Sequence, residues 1–220
     1  MATRGRFVVL EGIDGCGKTT QIAALREWLP RSGLIPPHRE LVITREPGGT
    51  PFGAALRELL LHPPARQTPG DRAELLLYAA DRAQHVAQRI APALAAGHWV
   101  LSDRFSGSTE AYQGHGRGLP LEPIRQLEHF ATAGLQPDLT LWLALPLEEA
   151  LRRRRHQQSD RIEAEGAAFL ERVHQGFARL AQGHGWWRVE ATGDPTTVGE
   201  RCRQALLTRF AAADPADHGG

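Results

Sequence analysis

The sequence predicts an α/β fold, a five-stranded parallel sheet flanked by helices. Three observations carry that expectation. Gly12-Ile13-Asp14-Gly15-Cys16-Gly17-Lys18-Thr19 is a complete GxxxxGK[ST] loop between the apolar run Phe7–Leu10 and a helical pattern. Four further apolar runs follow, separated by helical stretches, the alternation that yields parallel strands with right-handed crossovers. The 220 residues suit one such domain over 1–210, with room for a small lid at about 152–165.

Phe7–Leu10 is the first strand, apolar throughout as a strand buried on both faces requires. Lys18 to Leu29 is a helix with Ile22, Leu25 and Leu29 on one face. Leu41–Thr44 is the second strand, closed by the turn Pro47-Gly48-Gly49. Phe52 to Leu61 is helical and stops near Pro63-Pro64. Asp71 to Ala96 is a long helical stretch with Pro92 as its kink. Trp99–Ser102 is the third strand, and Pro120 to Ala133 is a helix with proline at its start. Leu139–Leu145 is the fourth strand. Leu147 to Arg155 is helical, ending in a basic run, and Phe169 to Ala181 is helical again. Trp187–Glu190 is the fifth strand and Thr196–Phe210 the last helix. Residues 211–220, small and polar, read as a frayed tail.

Composition narrows the function. A formal net charge of +1 gives no ground for bulk binding to nucleic acid or to a membrane surface. No apolar run reaches the length of a membrane span, and Met1–Arg6 leaves no room for a signal peptide before the first strand. Two cysteines form neither a disulfide framework nor a metal pattern, which points to a reduced, cytoplasmic setting. The ten histidines lack metal-ligand spacing.

The loop is a phosphate cradle. Its glycines let backbone N–H groups turn inward, and the following helix N-terminus adds positive potential. Residues Gly12 to Thr20 would then hold ATP, with Lys18 reaching the β- and γ-phosphates and the Thr19 hydroxyl on Mg²⁺. Asp103, ending the buried third strand, is placed to hold the same Mg²⁺. The γ-phosphate could pass to water, as in a switch, or to an acceptor, as in a kinase. Arginines favour the acceptor: Arg45 follows the second strand, Arg57 and Arg82 lie on helices, and Arg104 follows the third strand. Guanidinium groups are the usual tool for recognising a second phosphate dianion. A further cluster, Arg152 to Arg155, precedes Asp160-Arg161-Ile162-Glu163 and fits a mobile lid that neutralises charge in the transition state.

With Thr44-Arg45-Glu46-Pro47-Gly48-Gly49-Thr50, Leu77-Tyr78-Ala79-Ala80-Asp81-Arg82, Ser102-Asp103-Arg104-Phe105 and Ser108-Thr109-Glu110-Ala111-Tyr112-Gln113-Gly114, the chain resembles the thymidylate kinase family from Phe7 to about Phe210. The resemblance implies a P-loop fold of the nucleoside monophosphate kinase type that makes dTDP from dTMP and ATP, and a homodimer packed through helices. It implies that Asp14 meets the sugar 3′-hydroxyl of dTMP, and that Arg45, Arg82 and Arg104 contact its phosphate or its approach. It also implies that Pro47, Ser108 and Thr109 line the nucleotide site, that Arg57 and Gln113 lie near the thymine, and that Tyr78 stacks on it. Gly15 stands where some members carry a catalytic arginine, so the resemblance assigns the catalytic cations to the lid: Arg161 with one of Arg154 or Arg155. His156 and Ala144 depart from the family pattern of arginine and aspartate at those places.

Overall fold

The structure is a computed structural model that describes residues 4–64, 67–154, 161–162 and 165–211. Among them five strands form one sheet: β1 (Phe7–Glu11), β2 (Leu41–Arg45), β3 (Trp99–Asp103), β4 (Leu139–Ala144) and β5 (Trp187–Glu190). Their order is β2-β3-β1-β4-β5 and every pairing is parallel. The helices are α1 (Lys18–Trp28), α2 (Pro51–Leu61), α3 (Asp71–His85), α4 (Ala91–Ala95), α5 (Ser106–Thr109), α6 (Leu121–Thr132), α7 (Leu147–Arg154), α8 (Ala167–Gly183) and α9 (Pro195–Phe210).

Strand β1 shows why the sheet is covered on both faces. Side chains alternate across a strand. Val8 and Leu10 join the core shared with Leu25 of α1, Phe177 of α8 and Leu206 of α9. Phe7 and Val9 join the opposite core, with Val86, Ile90 and Leu94. All four are buried. The registers Leu10 to Asp103 and Arg45 to Asp103 bring the ends of β1, β2 and β3 level, so the residues that follow them share one edge of the sheet. Strand order reverses at β1, between β3 and β4. The crevice beyond the carboxyl ends at such a point is where open α/β sheets bind ligands.

Three element boundaries are set by identifiable chemistry. Thr50 caps α2, accepting a hydrogen bond from Gly53 N at 2.9 Å, with Pro51 in the first turn. Asp194 caps α9 through Thr197 N at 3.0 Å. The stretch expected as one kinked helix over 71–96 is α3, a π-helical turn Val86–Ile90, and α4. The irregularity lies upstream of Pro92 because the missing proline N–H frees the carbonyl one turn earlier. A second π-helical segment, Glu110–Gly116, continues α5 and packs against α8. Sequence reading found only a motif there, not a helix. Strands β1, β2 and β3 each run one residue further than expected, so Glu11, Arg45 and Asp103 are the last residues of their strands.

Candidate active site

The phosphate loop joins β1 to α1 in a conformation that glycine alone accepts. Gly12 has φ 144°, and a Cβ there would stand 2.8 Å from Cys16 Sγ and 2.9 Å from Leu143 O. Gly15 has φ 86°, and a Cβ there would lie 2.7 Å from Ala150 O and 2.9 Å from Arg154 Cγ. The stem of Arg154 therefore already lies across the loop. Lys18 is buried and its Nζ donates to Gly12 O at 2.9 Å and to Ile13 O at 3.2 Å. Thr19 and Thr20 are exposed in the first turn of α1, where backbone N–H groups lack intrahelical acceptors. This loop, Arg45, Asp103 and Arg152 to Arg154 line one cleft.

A smaller pocket adjoins that cleft. It is lined by Pro47, Arg57, Tyr78, Arg82, Ser108, Thr109, Tyr112, Gln113 and Ile162, among others. Asp14, Glu46, Arg57 and Arg104 line both spaces. Arg45 borders the larger cleft, not the pocket.

Arg104 organises the junction. Its φ of 70° is left-handed, a conformation that costs a non-glycine residue about 1–3 kcal/mol and clusters at functional sites. Its N–H donates to Leu10 O at 2.9 Å, and its carbonyl accepts from Ser102 Oγ at 2.8 Å, which together hold the turn. The guanidinium then reaches Asp14 Oδ1 at 2.7 Å and Ser108 Oγ at 2.8 Å and lies over the Tyr112 ring. Tyr112 OH donates to Asp14 Oδ2 at 2.8 Å. Burial opposes charge on Asp14, but the Arg104 and Lys18 cations and these hydrogen bonds hold its carboxyl well below the usual carboxylate range. For Glu11 burial wins, raising its carboxyl despite the Arg104 cation and hydrogen bonds from Phe105 N and Ser108.

Arg82 sits in a buried chain of charges. Thr44 Oγ1 pairs with His85 Nε2 at 2.6 Å, and His85 Nδ1 with Glu46 Oε1 at 2.8 Å. Glu46 Oε2 accepts from Arg82 Nε at 2.7 Å, and Arg82 Nη1 donates to Glu128 Oε2 at 2.5 Å and to Thr109 Oγ1 at 2.8 Å. Arg82 Nη2 also donates to Phe105 O at 3.1 Å. A guanidinium has five N–H donors; these partners engage four, and Arg82 also lines the smaller pocket. Arg57 is tied less firmly, through Nη1 to Pro47 O at 3.1 Å.

The lid arginines separate. Arg152 and Arg153 pair with Glu149, and Arg154 crosses Gly15. Arg161 donates to Leu60 O at 2.9 Å and to Glu74 Oε2, and does not line the cleft. Arg155, His156, Asp160 and Glu163 lie outside the described residues. Sequence reasoning missed Glu11, Glu46, Glu74, Tyr112 and Glu128 as site residues. Glu11 had a signal, a carboxylate closing an otherwise apolar strand directly before the loop, and Glu46 and Tyr112 lay inside quoted motifs.

A family model decides the lineage: the one described as thymidylate kinase matches residues 10–209. The chain belongs to the thymidylate kinase family. Named relatives agree. A thymidylate kinase of Synechococcus sp. (strain RCC307) is 68% identical over 203 residues, covering 92% of this chain and 96% of that one. Those of Parasynechococcus marenigrum (strain WH8102) and Synechococcus sp. (strain CC9605) are 61% and 63% identical over 206 and 207 residues, each covering 94% of this chain and 99% of the relative. The chain is thus a phosphotransferase with the five-stranded parallel α/β fold described above. No helix among the described residues is long and apolar enough to cross a membrane.

Proposed function

We propose that this protein passes the γ-phosphate of ATP to the phosphate of dTMP, yielding ADP and dTDP for dTTP synthesis. The observation that carries the reading is the shared wall: Asp14, Glu46, Arg57 and Arg104 border both the phosphate-loop cleft and the smaller pocket. Donor and acceptor phosphates held in the two spaces meet at these residues. The loop amides from Gly12 to Thr20 and Lys18 bind the donor phosphates, Lys18 exchanging its loop carbonyls for phosphate oxygens. Arg104 takes the acceptor phosphate, and Arg57, which the resemblance puts near the thymine, joins it because it borders both spaces. Arg45 guards its approach, and Tyr78 and Gln113 meet the base. Asp14 accepts from the sugar 3′-hydroxyl. The acceptor phosphate is already a competent nucleophile, so the residues supply alignment and charge neutralisation and no strong base.

Thr19 and Asp103 fit Mg²⁺. Asp103 Oδ1 is buried with no hydrogen-bond partner among the described residues, and the exposed Thr19 borders the same cleft. One carboxylate and one hydroxyl suit an ion that takes its remaining ligands from phosphates and water. When bound, the ion screens charge between the phosphates. A lid over about 152–165 contributes Arg154, with Arg155 as its other candidate cation while Arg161 is held by Glu74, and excludes water from the transfer.

The same reading gives a cytoplasmic homodimer. Support comes from two free buried thiols, and from Phe52, Leu76 and Phe130, each more than half exposed on α2, α3 and α6, helices that neighbour one another. The test offers dTMP, dUMP, UMP, CMP, AMP and no acceptor to the purified protein with Mg²⁺ and ATP. Strong dTMP-dependent ADP formation is expected. Preference for another acceptor would sink the thymine-site assignments, and slow turnover indifferent to every acceptor would favour a nucleotide switch.

A further inference from the structure

Glu74, in the first turn of α3, is fully buried. Its Oε1 accepts from Gln113 Nε2 at 2.8 Å and from Arg117 Nε at 2.7 Å. Its Oε2 accepts from Arg117 Nη2 at 2.8 Å and from Arg161 Nη2. Burial alone would raise this carboxyl, but the hydrogen bonds from Arg117, Arg161 and Gln113 outweigh it and hold the group below its ordinary value. An ionised carboxylate only accepts, so Glu74 dictates which end of the Gln113 amide faces it: the nitrogen. Gln113 is itself buried and lines the smaller pocket. The end of its amide left for a ligand is Oε1, an acceptor.

We propose that Glu74 is a positioning residue that fixes the polarity of the Gln113 amide, so that the pocket selects a base edge carrying a ring N–H. This rests on the reading of that pocket as the nucleotide acceptor site. Thymine and uracil present an N–H at position 3, where cytosine presents a lone pair. Gln113 held with its oxygen forward accepts from the former and opposes the latter.

Glu74→Gln reverses the arrangement. Arg117 Nη2 and Arg161 Nη2 converge on one position, which must keep an oxygen. The new amide nitrogen then faces Gln113, whose amide turns over and presents Nε2 to the pocket. Arg117 Nε loses its partner in the process, which weakens the fold without favouring either base.

The experiment measures kcat/KM for dTMP, dUMP and dCMP in wild type and in Glu74→Gln. dUMP shares the thymine hydrogen-bonding edge and is the internal control. The expected result is a dTMP/dCMP ratio lowered by about tenfold or more, the size of one reversed hydrogen bond, with the dTMP/dUMP ratio unchanged. Both ratios falling together, or neither moving, would overturn the proposal. Wild type that ignores dTMP altogether would overturn the acceptor-site reading instead.

A measurement on wild type decides the matter if Glu74→Gln does not fold. The side-chain NH₂ signals of Gln113, assigned by their loss in Gln113→Met, should exchange with solvent at least about tenfold more slowly than those of exposed Gln88. Equal exchange rates would overturn the proposal.

Discussion

Replacing Asp81 with asparagine should stabilise the protein at alkaline pH. Asp81 is buried beside Arg82, and its Oδ1 accepts from Gly48 N at 3.1 Å. Burial, reinforced by the Glu46 charge, pushes its carboxyl from an ordinary 3.8 up to about 6, against the opposing effects of Gly48 N–H, Arg82 and His85. At about 1.4 kcal/mol per pH unit, holding this group ionised in the fold costs up to about 3 kcal/mol. The sign follows from proton counting. Between about pH 4 and 6 the folded carboxyl holds its proton while the unfolded one releases it, so this group's contribution falls as pH rises. The penalty is absent below that window and complete above it. Asparagine keeps an oxygen for Gly48 N–H and is never charged. Its extra N–H₂ can lose about 1–3 kcal/mol if left unpaired, so the net gain at pH 8 is about 1–3 kcal/mol when it finds a partner. Thermal denaturation of both proteins from pH 4 to 8 reads this directly, at about 2–4 °C per kcal/mol for a domain of this size. The gain of Asp81→Asn should grow through the window and then level off. A variant less stable than wild type at pH 8, or a difference that ignores pH, would refute the reasoning.

Other perturbations separate the loop, the core and the cations. Gly15→Ala forces a Cβ against Ala150 O and the Arg154 stem at a φ of 86°; turnover should fall more than about tenfold and the melting temperature should drop, the left-handed backbone alone costing about 1–2 kcal/mol. Phe177→Ala empties a fully buried site beneath Tyr112, whose ring packs edge-on at 5.9 Å; urea denaturation should show a loss of about 3–5 kcal/mol. Lys18→Ala and Arg104→Ala should each lower dTMP-dependent turnover by several orders of magnitude in folded protein, and near-normal rates in either would contradict the site assignment.

The elements that sequence identified are those whose signals are local. Phe7 to Leu10 has no polar position to expose, and the two cores confirm why: its alternate residues enter opposite layers. Segment 106–116 escaped because Gly107, Ser108, Gly114 and Gly116 are poor helix formers. Its helical turns depend on packing against α8, where Tyr112 meets Phe169 and Phe177. The site divides in the same way. Spacing and strand ends were enough to place Lys18, Thr19, Asp103 and Arg104 together. The anion each arginine faces depends on pairing across the fold. Arg82 meets Glu46 and Glu128, 36 and 46 positions away, and Arg161 meets Glu74, 87 positions away. No window of sequence contains those pairs, so the partner of each arginine is legible only once the chain is folded.

The most direct measurement follows the phosphate itself. ATP labelled at the γ-position is incubated with Mg²⁺, dTMP and the purified protein, and the labelled products are separated. The shared wall of Asp14, Arg57 and Arg104 predicts label in dTDP, in proportion to ADP formed and with little free phosphate. Label released mainly as inorganic phosphate, at a rate unaffected by dTMP, would contradict it.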